Sequence, residues 1–281
     1  MSDLHSINEA INKKAWRKLL PSIAVGLSLI TLVWFTLSYQ REIFAIVVAA
    51  AVILGLRELV RAFAARGIVI SFNALSLAAI GLSYAAWVGG VAGLAIATAI
   101  AFPLLLIRAL LQGPEGFVAK ATATTFGLLY LPFLAGFLIL LARPSTGFQR
   151  VMTFMVLVGC NDTFGYIVGV LLGKHPLVPK ISPKKTWEGL IGSLVFTVIG
   201  GCLAFEYIMD MHWWIGIIVG LMIVFTATCG DLIESAMKRD LSLKDMGTLL
   251  PGHGGMLDRL DSVVLSAPAL WLAFELVKHF L

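Results

Sequence analysis

Nine apolar runs constrain this chain more than any other feature. They cover roughly residues 19–39, 43–57, 70–88, 91–108, 121–141, 150–172, 188–209, 213–230 and 262–281. A crossing helix needs about 20 mostly apolar residues, so most of these runs can span a bilayer, with the second and third the least well marked. The runs are continuous and do not alternate, which suits helices rather than the strands of a membrane barrel. Composition agrees: 59% of the 281 residues are hydrophobic, 13% are charged and the mean hydropathy is +0.94. Soluble domains carry about 25% charged residues, and one of this size has too little interior to hide so much apolar surface. Disorder and a soluble globule are excluded. The expected fold class is all-α, a polytopic integral membrane protein with about nine transmembrane helices.

Lysine and arginine set the expected orientation. With the N-terminus inside and strict alternation, 17 of the 21 fall in inside segments, and only Arg41, Arg143, Arg150 and Lys278 fall outside. Cytoplasmic loops collect basic residues, so the N-terminus is expected in the cytoplasm and the C-terminus outside. Both long polar loops, 173–187 and 231–261, then lie on the cytoplasmic face. The same rule accounts for the net charge of +5 and the pI near 9.2, so no nucleic-acid partner is implied. Residues 1–18 read as a basic, amphipathic cytoplasmic segment ending in Lys13, Lys14, Arg17 and Lys18. No small-residue cleavage site follows, and the first run reads as a retained helix rather than a signal peptide. Residues 19–281 read as one transmembrane catalytic domain. Cys160, Cys202 and Cys229 sit in apolar stretches without metal-ligand spacing and read as packing residues, with neither disulfide nor zinc expected.

Polar residues concentrate in the second half. Asn161 and Asp162 fall near the middle of the sixth run. An ionisable group at that depth is expensive unless it faces a polar interior; Asp162 either bonds a neighbouring helix or lines a hydrated cavity. Gly165, Gly169 and Gly173 follow at a spacing of four and read as a surface for close helix packing. In the loop 173–187, Pro176, Pro179 and Pro183 stiffen the chain, and Ser182 before Pro183 reads as an N-cap with the first helical residue. Lys184 and Lys185 would then occupy the first turn of the seventh helix, either as an anion site with the free N–H groups or as a basic membrane anchor. Glu188, beside them, reads as a compensating charge.

The stretch 231–261 is the richest. Asp231, Glu234, Ser235 and Lys238 share one face of a helix leaving the eighth run, and Asp258 and Asp261 share a face at the start of the ninth. Between them lies P-G-H-G-G, residues 251–255, where glycines let backbone N–H groups approach a ligand. His253 is either solvated or a ligand contact. Carboxylates on two helices with Lys, Arg and Gly interleaved suit Mg²⁺ and phosphate chemistry. Each charge alone is ordinarily a surface ion pair, but charges are scarce elsewhere in the chain.

These stretches, G-D-L-I-E-S-A-M-K-R, then K-D, then L-P-G-H-G-G-M-L-D-R-L-D-S, resemble the signature of the phosphatidate cytidylyltransferases, or CDP-diacylglycerol synthases. N-D-T-F-G-Y-I-V-G and P-K-I-S-P-K-K-T-W-E-G upstream are also similar to that family. The motifs cover roughly residues 160–265; the first half resembles the family in hydropathy alone. The resemblance implies that CTP and phosphatidic acid are converted to CDP-diacylglycerol and pyrophosphate at a cytoplasm-facing site of the bilayer. It implies a divalent metal, usually Mg²⁺, a multi-pass protein of a bacterial-type inner membrane, and a homodimeric arrangement. By resemblance, Asp231, Asp258 and Asp261 are the metal and catalytic carboxylates, and Lys244 and Asp245 match the same signature. Ser182, Lys184, Lys185, Lys238, Arg239, His253, Gly254, Arg259, Asn161 and Asp162 are the candidate substrate contacts, with Asp162 left to orient a lysine or a second cation.

Other readings stay open at this point. CDP-alcohol phosphatidyltransferases carry D-G-x-x-A-R, which is absent here. Polyprenol and phytol kinases also combine CTP with lipids but release CDP. A transporter holding a coupling ion at Asp162 would show broken helices in both halves. The topology is testable directly: cysteines placed at positions 178 and 247 should react with an impermeant label only from the cytoplasmic side, and labelling from outside would refute the orientation.

Overall fold

The computed structural model describes residues 28, 30–243, 245–247 and 255–280, side chains at 279 and 280 excepted. The basic segment 1–18, Lys244, His253 and Gly254 therefore lie outside the described residues. The chain forms α1 (Ile30–Tyr39), α2 (Arg41–Ala64), α3 (Phe72–Leu110), α4 (Phe117–Leu128), a π-helical turn (Leu129–Phe133), α5 (Leu134–Ala142), α6 (Gly147–Leu172), β1 (Pro176–Val178), β2 (Ser182–Thr186), α7 (Trp187–Tyr207), α8 (Trp213–Asp240) and α9 (Leu257–Phe280). Among the described residues, seven helices are long and apolar enough to cross a membrane, counting α4 to α5 as one and α3 as one.

Helix α3 is not one rod. Its 39 residues would extend about 58 Å, nearly twice the roughly 30 Å of a hydrocarbon core. At Gly90 the backbone turns to φ 63°, ψ −145°. A Cβ on Gly93 would collide with the carbonyl oxygen of Ala85, although residues eight apart in a straight helix are separated by about 12 Å. The chain therefore folds back into two arms. Arg143 seals the reversal, donating from Nε to Trp87 O (2.8 Å) and from Nη2 to Val88 O (3.1 Å), the orphan carbonyls that end the first arm. The arms' other ends meet again where Ser71, Arg108 and Lys120 line one small cavity. The expected third and fourth runs are these two arms.

The remaining crossings pack by closeness of backbone, because lipid gives helices no hydrophobic reason to associate. A Cβ on Gly189 would lie 3.2 Å from Gly169 Cα, so α6 and α7 touch along the glycine ridge. Gly201 and Gly216 leave no room for a Cβ between α7 and α8, nor does Gly230 between α8 and the Asp261–Ser262 backbone of α9. Side chains such as Leu56, Leu82, Ile139, Leu141 and Leu157 are wholly buried, while Ile191, Val195, Leu203 and Phe225 face outward, as lipid-facing positions require.

One expectation is corrected here. Ser182 and Pro183 do not begin a helix: Ser182–Thr186 is a strand paired antiparallel with Pro176–Val178, Pro176 opposite Thr186 and Val178 opposite Ser182. Proline disfavours the helical region for the residue before it, and the hairpin gives this proline-rich loop its order. Thr186 is the true N-cap of α7, accepting from Gly189 N at 3.1 Å. Lys184 and Lys185 thus stand on a strand leading to the helix. Glu188 does not serve them either: it accepts from the N–H groups of Lys174 (3.1 Å) and His175 (3.2 Å) and pairs with His175 Nδ1 at 2.6 Å.

The Gly230 contact fixes how close α8 and α9 come. Gly230→Ala should push Asp261 away from Asp231, destabilise the protein by about 1–3 kcal/mol as overpacked sites do, and depress activity. A thermal midpoint in detergent unchanged from the parent would contradict this packing.

Candidate active site

Four helices contribute to one polar centre at the end of the bundle that carries the two long loops. Asp231 and Glu234 lie one turn apart on α8, and Asp261 lies on the first turns of α9. Each offers a carboxylate oxygen within 4.8 Å of the others. Glu234 and Asp261 are buried, whereas the Asp231 side chain is 39% exposed. Gly230, the neighbour of Asp231, packs on the backbone of Asp261; that contact brings the two aspartates together.

Cations and donors surround the three acids. Lys185, from β2, pairs with Asp231, and Lys238 pairs with Glu234 one turn below. Lys238 also reaches Asp258 Oδ1 at 2.9 Å. Asp258 Oδ2 accepts from Gly255 N at 2.6 Å, and Asp261 Oδ1 accepts from Ser262 N at 2.7 Å. Asp162 joins from α6: its Oδ2 accepts from Ser262 Oγ (3.2 Å) and its Oδ1 from Asn161 Nδ2 (2.9 Å). Ser193 Oγ on α7 donates to Asn161 O at 2.6 Å. Asp162 both bonds a neighbouring helix and borders a cavity, so its two sequence readings are compatible.

Two cavities adjoin this centre. One of 620 Å³ lies between α6 and α7 and is bounded by Asp162, Tyr166, Val170, Lys185 and Asp231. The other, of 740 Å³, is bounded by Ser235, Lys238, Arg239, Ser242 and Asp245. Ser182 and Lys184 border both, while Lys185 borders only the first; Lys184 thus stands at the partition.

Most of the sequence candidates converge here, and some do not. Asp231, Asp261, Asp162, Asn161, Lys185 and Lys238 form the centre, and Ser182, Lys184 and Asp245 its walls. Asp258 is not one of the three carboxylates that converge, but it adjoins Glu234, shares Lys238 with it and accepts from the Gly255 N–H. Arg239 is exposed and donates from Nε to Ile181 O at 3.2 Å, tying the β hairpin to α8. Arg259 is exposed. Lys244, His253 and Gly254 lie outside the described residues.

Two carboxylates emerge that had no assigned role. Glu234 had been placed on the Asp231 face, and the i+3 spacing was the available signal for a shared ligand set. Glu58, in the first half of the chain, is buried and bonds the start of α9. A lone acid ending an apolar run was its only mark in the sequence. Glu58 also fills the space a side chain at Gly247 would need, so the topology test rests on position 178.

The cluster fits a divalent cation. Two like charges 4.8 Å apart repel by about 3–4 kcal/mol at an effective dielectric of about 20, and a cation would relieve that repulsion among the three when all are ionised. Glu234 Oε1 is buried and has no hydrogen-bond donor among the described residues. Short-range, oxygen-only side chains with a spare buried lone pair are what a hard cation takes.

Fold and centre together define a polytopic helical membrane protein with a carboxylate–lysine centre at one end of its bundle. Comparison with known proteins then specifies it. Residues 22–277 match the model of the Cytidylyltransferase family. The chain is 38% identical over 280 residues to the phosphatidate cytidylyltransferase of Mycobacterium leprae, covering 94% of this chain and 90% of that protein. It is 35% identical over 277 residues to the protein of that name from Mycobacterium bovis, with 94% and 90% covered, and 36% over 203 residues to that from Staphylococcus haemolyticus, with 71% and 76% covered. The chain belongs to the cytidylyltransferase family.

The cluster geometry makes a ranked prediction. Asp231→Asn, Glu234→Gln and Asp261→Asn should each lower turnover by at least about 100-fold, the loss expected when charge stabilisation of several kcal/mol is removed, in protein that still folds. Asp258→Asn should fall less far, since its carboxylate acts through Lys238. Near-parental rates for the three cluster variants would remove these residues from the chemistry.

Proposed function

We infer that this protein transfers the cytidylyl group of CTP to phosphatidic acid, giving CDP-diacylglycerol and pyrophosphate. The observation that carries the reading is the family match over nearly the whole chain, joined to a carboxylate–lysine centre set between two cavities. A phosphatidate oxygen attacks the α-phosphorus of CTP, the new P–O bond forms, and the bond from that phosphorus to the β-phosphate bridging oxygen breaks. The nucleophile is already anionic, so no strong general base is needed. The demand on the site is to bring two polyanions together and align them.

The residues divide that task. The cavity beside Tyr166 and Val170 has an apolar wall and suits the lipid, whose tails stay in the bilayer. The cavity beside Lys238, Arg239 and Ser235 is polar and suits the triphosphate. Lys184, at the partition, faces phosphate oxygens from both, and Lys185 faces those in the first cavity beside Asp231. Asp231, Glu234 and Asp261 are the residues that would hold Mg²⁺. When bound, the ion supplies a fixed positive charge against phosphate oxygens during transfer. Asp258 holds Lys238 in place, and Asp162 fixes the α6–α9 contact beside the centre.

The proposed setting is a cell membrane crossed nine times, α1 included and the α3 arms counted separately, with the N-terminus and the site cytoplasmic and the C-terminus outside. Two observations support it. Arg66 donates to the carbonyls of Asp240 (2.7 Å) and Leu241 (3.2 Å), so the loop after α2 shares an end with the loop after α8. Arg41 donates to Arg143 O at 3.2 Å, placing two of the four outside basic residues together at the other end.

The test is incubation of purified protein with CTP, phosphatidic acid and Mg²⁺. Pyrophosphate and a CDP-lipid should appear in equal amounts, and a chelator should stop both. Release of CDP with a phosphorylated lipid would instead mark a kinase. In the same assay Lys185→Gln should lose at least about tenfold in kcat/KM, as loss of a charged hydrogen-bond partner implies, while inserting normally.

A further inference from the structure

One side chain of the first half of the chain bonds the start of α9. Glu58 lies near the end of α2 and is 5% exposed. Its Oε1 accepts from Met256 N at 3.0 Å, and its Oε2 accepts from Leu257 N at 2.8 Å. The next amide back, Gly255 N, is taken by Asp258. Three consecutive N–H groups at the start of α9 are thus held by two carboxylates. The first amides of a helix have no intrahelical partner and carry the positive end of its dipole. A buried carboxylate there is both satisfied and directional, since each oxygen fixes one amide.

The same carboxylate lies against two described glycines, Gly247 and Gly255. The backbone approaches Glu58 so closely at both positions that a Cβ there would displace its carboxylate. Asp258 follows Leu257 directly, and Asp261 sits one turn on. Whatever sets the pose of residues 255–257 therefore sets where these two carboxylates point. No other described helix supplies a side chain to the Met256 and Leu257 amides.

We propose that Glu58 is a positioning residue for the transfer reaction: it clamps residues 255–257 at the start of α9, and so aligns Asp258 and Asp261 with Asp231 and Glu234. This inference rests on the α8–α9 carboxylates being the reacting centre's ligand set. It makes α2, which carries no residue of the family-like motifs, part of the catalytic framework.

The test uses the full-length protein in detergent or nanodiscs with Glu58→Gln, Glu58→Asp and Glu58→Ala. Gln keeps one acceptor oxygen but turns an NH₂ toward a backbone donor; Asp keeps the charge but is one methylene short. Two readouts are taken together: hydrogen–deuterium exchange of the 255–262 peptide, and kcat and KM for CTP and phosphatidic acid. The expected result is faster exchange at Met256 and Leu257 with α6 and α7 peptides unchanged. In the same protein kcat should fall by about 10- to 100-fold, the range for losing hydrogen bonds to a charged group, while both KM values stay within about threefold. Gln should retain more activity than Ala. Unchanged exchange at 256–257 overturns the proposal. So does loss of protection in every helix with activity falling in step with the folded fraction, or failure of all three variants to fold, since each assigns Glu58 a purely structural role. If the cluster variants prove active, the carboxylate reading fails separately, and the exchange result still decides the clamp.

Discussion

The mutual repulsion of Asp231, Glu234 and Asp261 is the constraint on which the rest of the structure depends. Three carboxylates with oxygens within 4.8 Å of one another, two of them buried, do not stay together unless something holds each from behind. Lys185 and Lys238 supply charge, the Ser262 N–H supplies direction, and close backbone packing supplies the force that keeps α8 against α9. Much of the visible architecture answers that need. The glycines at 216, 220 and 230 let α8 approach its neighbours without intervening side chains, and the β hairpin carries Lys185 to Asp231.

The membrane explains why those supports are built from small residues and polar caps. Lipid tails solvate leucine as well as a protein interior does, so apolar area alone gives no preference for one helix pairing over another. Backbone contacts and satisfied carbonyls do. Arg143 closing the α3 reversal and Arg66 closing the end of α8 are the same device at opposite ends: a guanidinium spreads over carbonyls that helix termini leave bare.

Much of this was legible in the sequence, for reasons that are physical. Hydrocarbon thickness imposes run length, so the crossings show up as apolar runs; the third and fourth part at Gly90, whose positive φ a residue with a side chain rarely adopts. The carboxylates of α8 and α9 stood out because charges are so few. Ser182 misled because Ser-Pro is a helix-start pattern, and only tertiary pairing with Pro176–Val178 shows a strand, with Thr186 as the cap. Glu234 was visible as a face-mate of Asp231, but which of Glu234 and Asp258 closes the triad depends on how α9 is rotated, and a linear pattern does not encode that. Glu58 was invisible as a functional residue because its partners are backbone amides about 200 positions away, and amides have no sequence signature.

The most direct measurement of the central claim is anomalous scattering from crystals grown with Mn²⁺ and CTP. The account predicts a peak bounded by Asp231, Glu234 and Asp261, with carboxylate oxygens at roughly 2.0–2.6 Å and nucleotide phosphate on its open side. A peak held by other residues, with Glu234 still turned toward Lys238 and away from the ion, would contradict it.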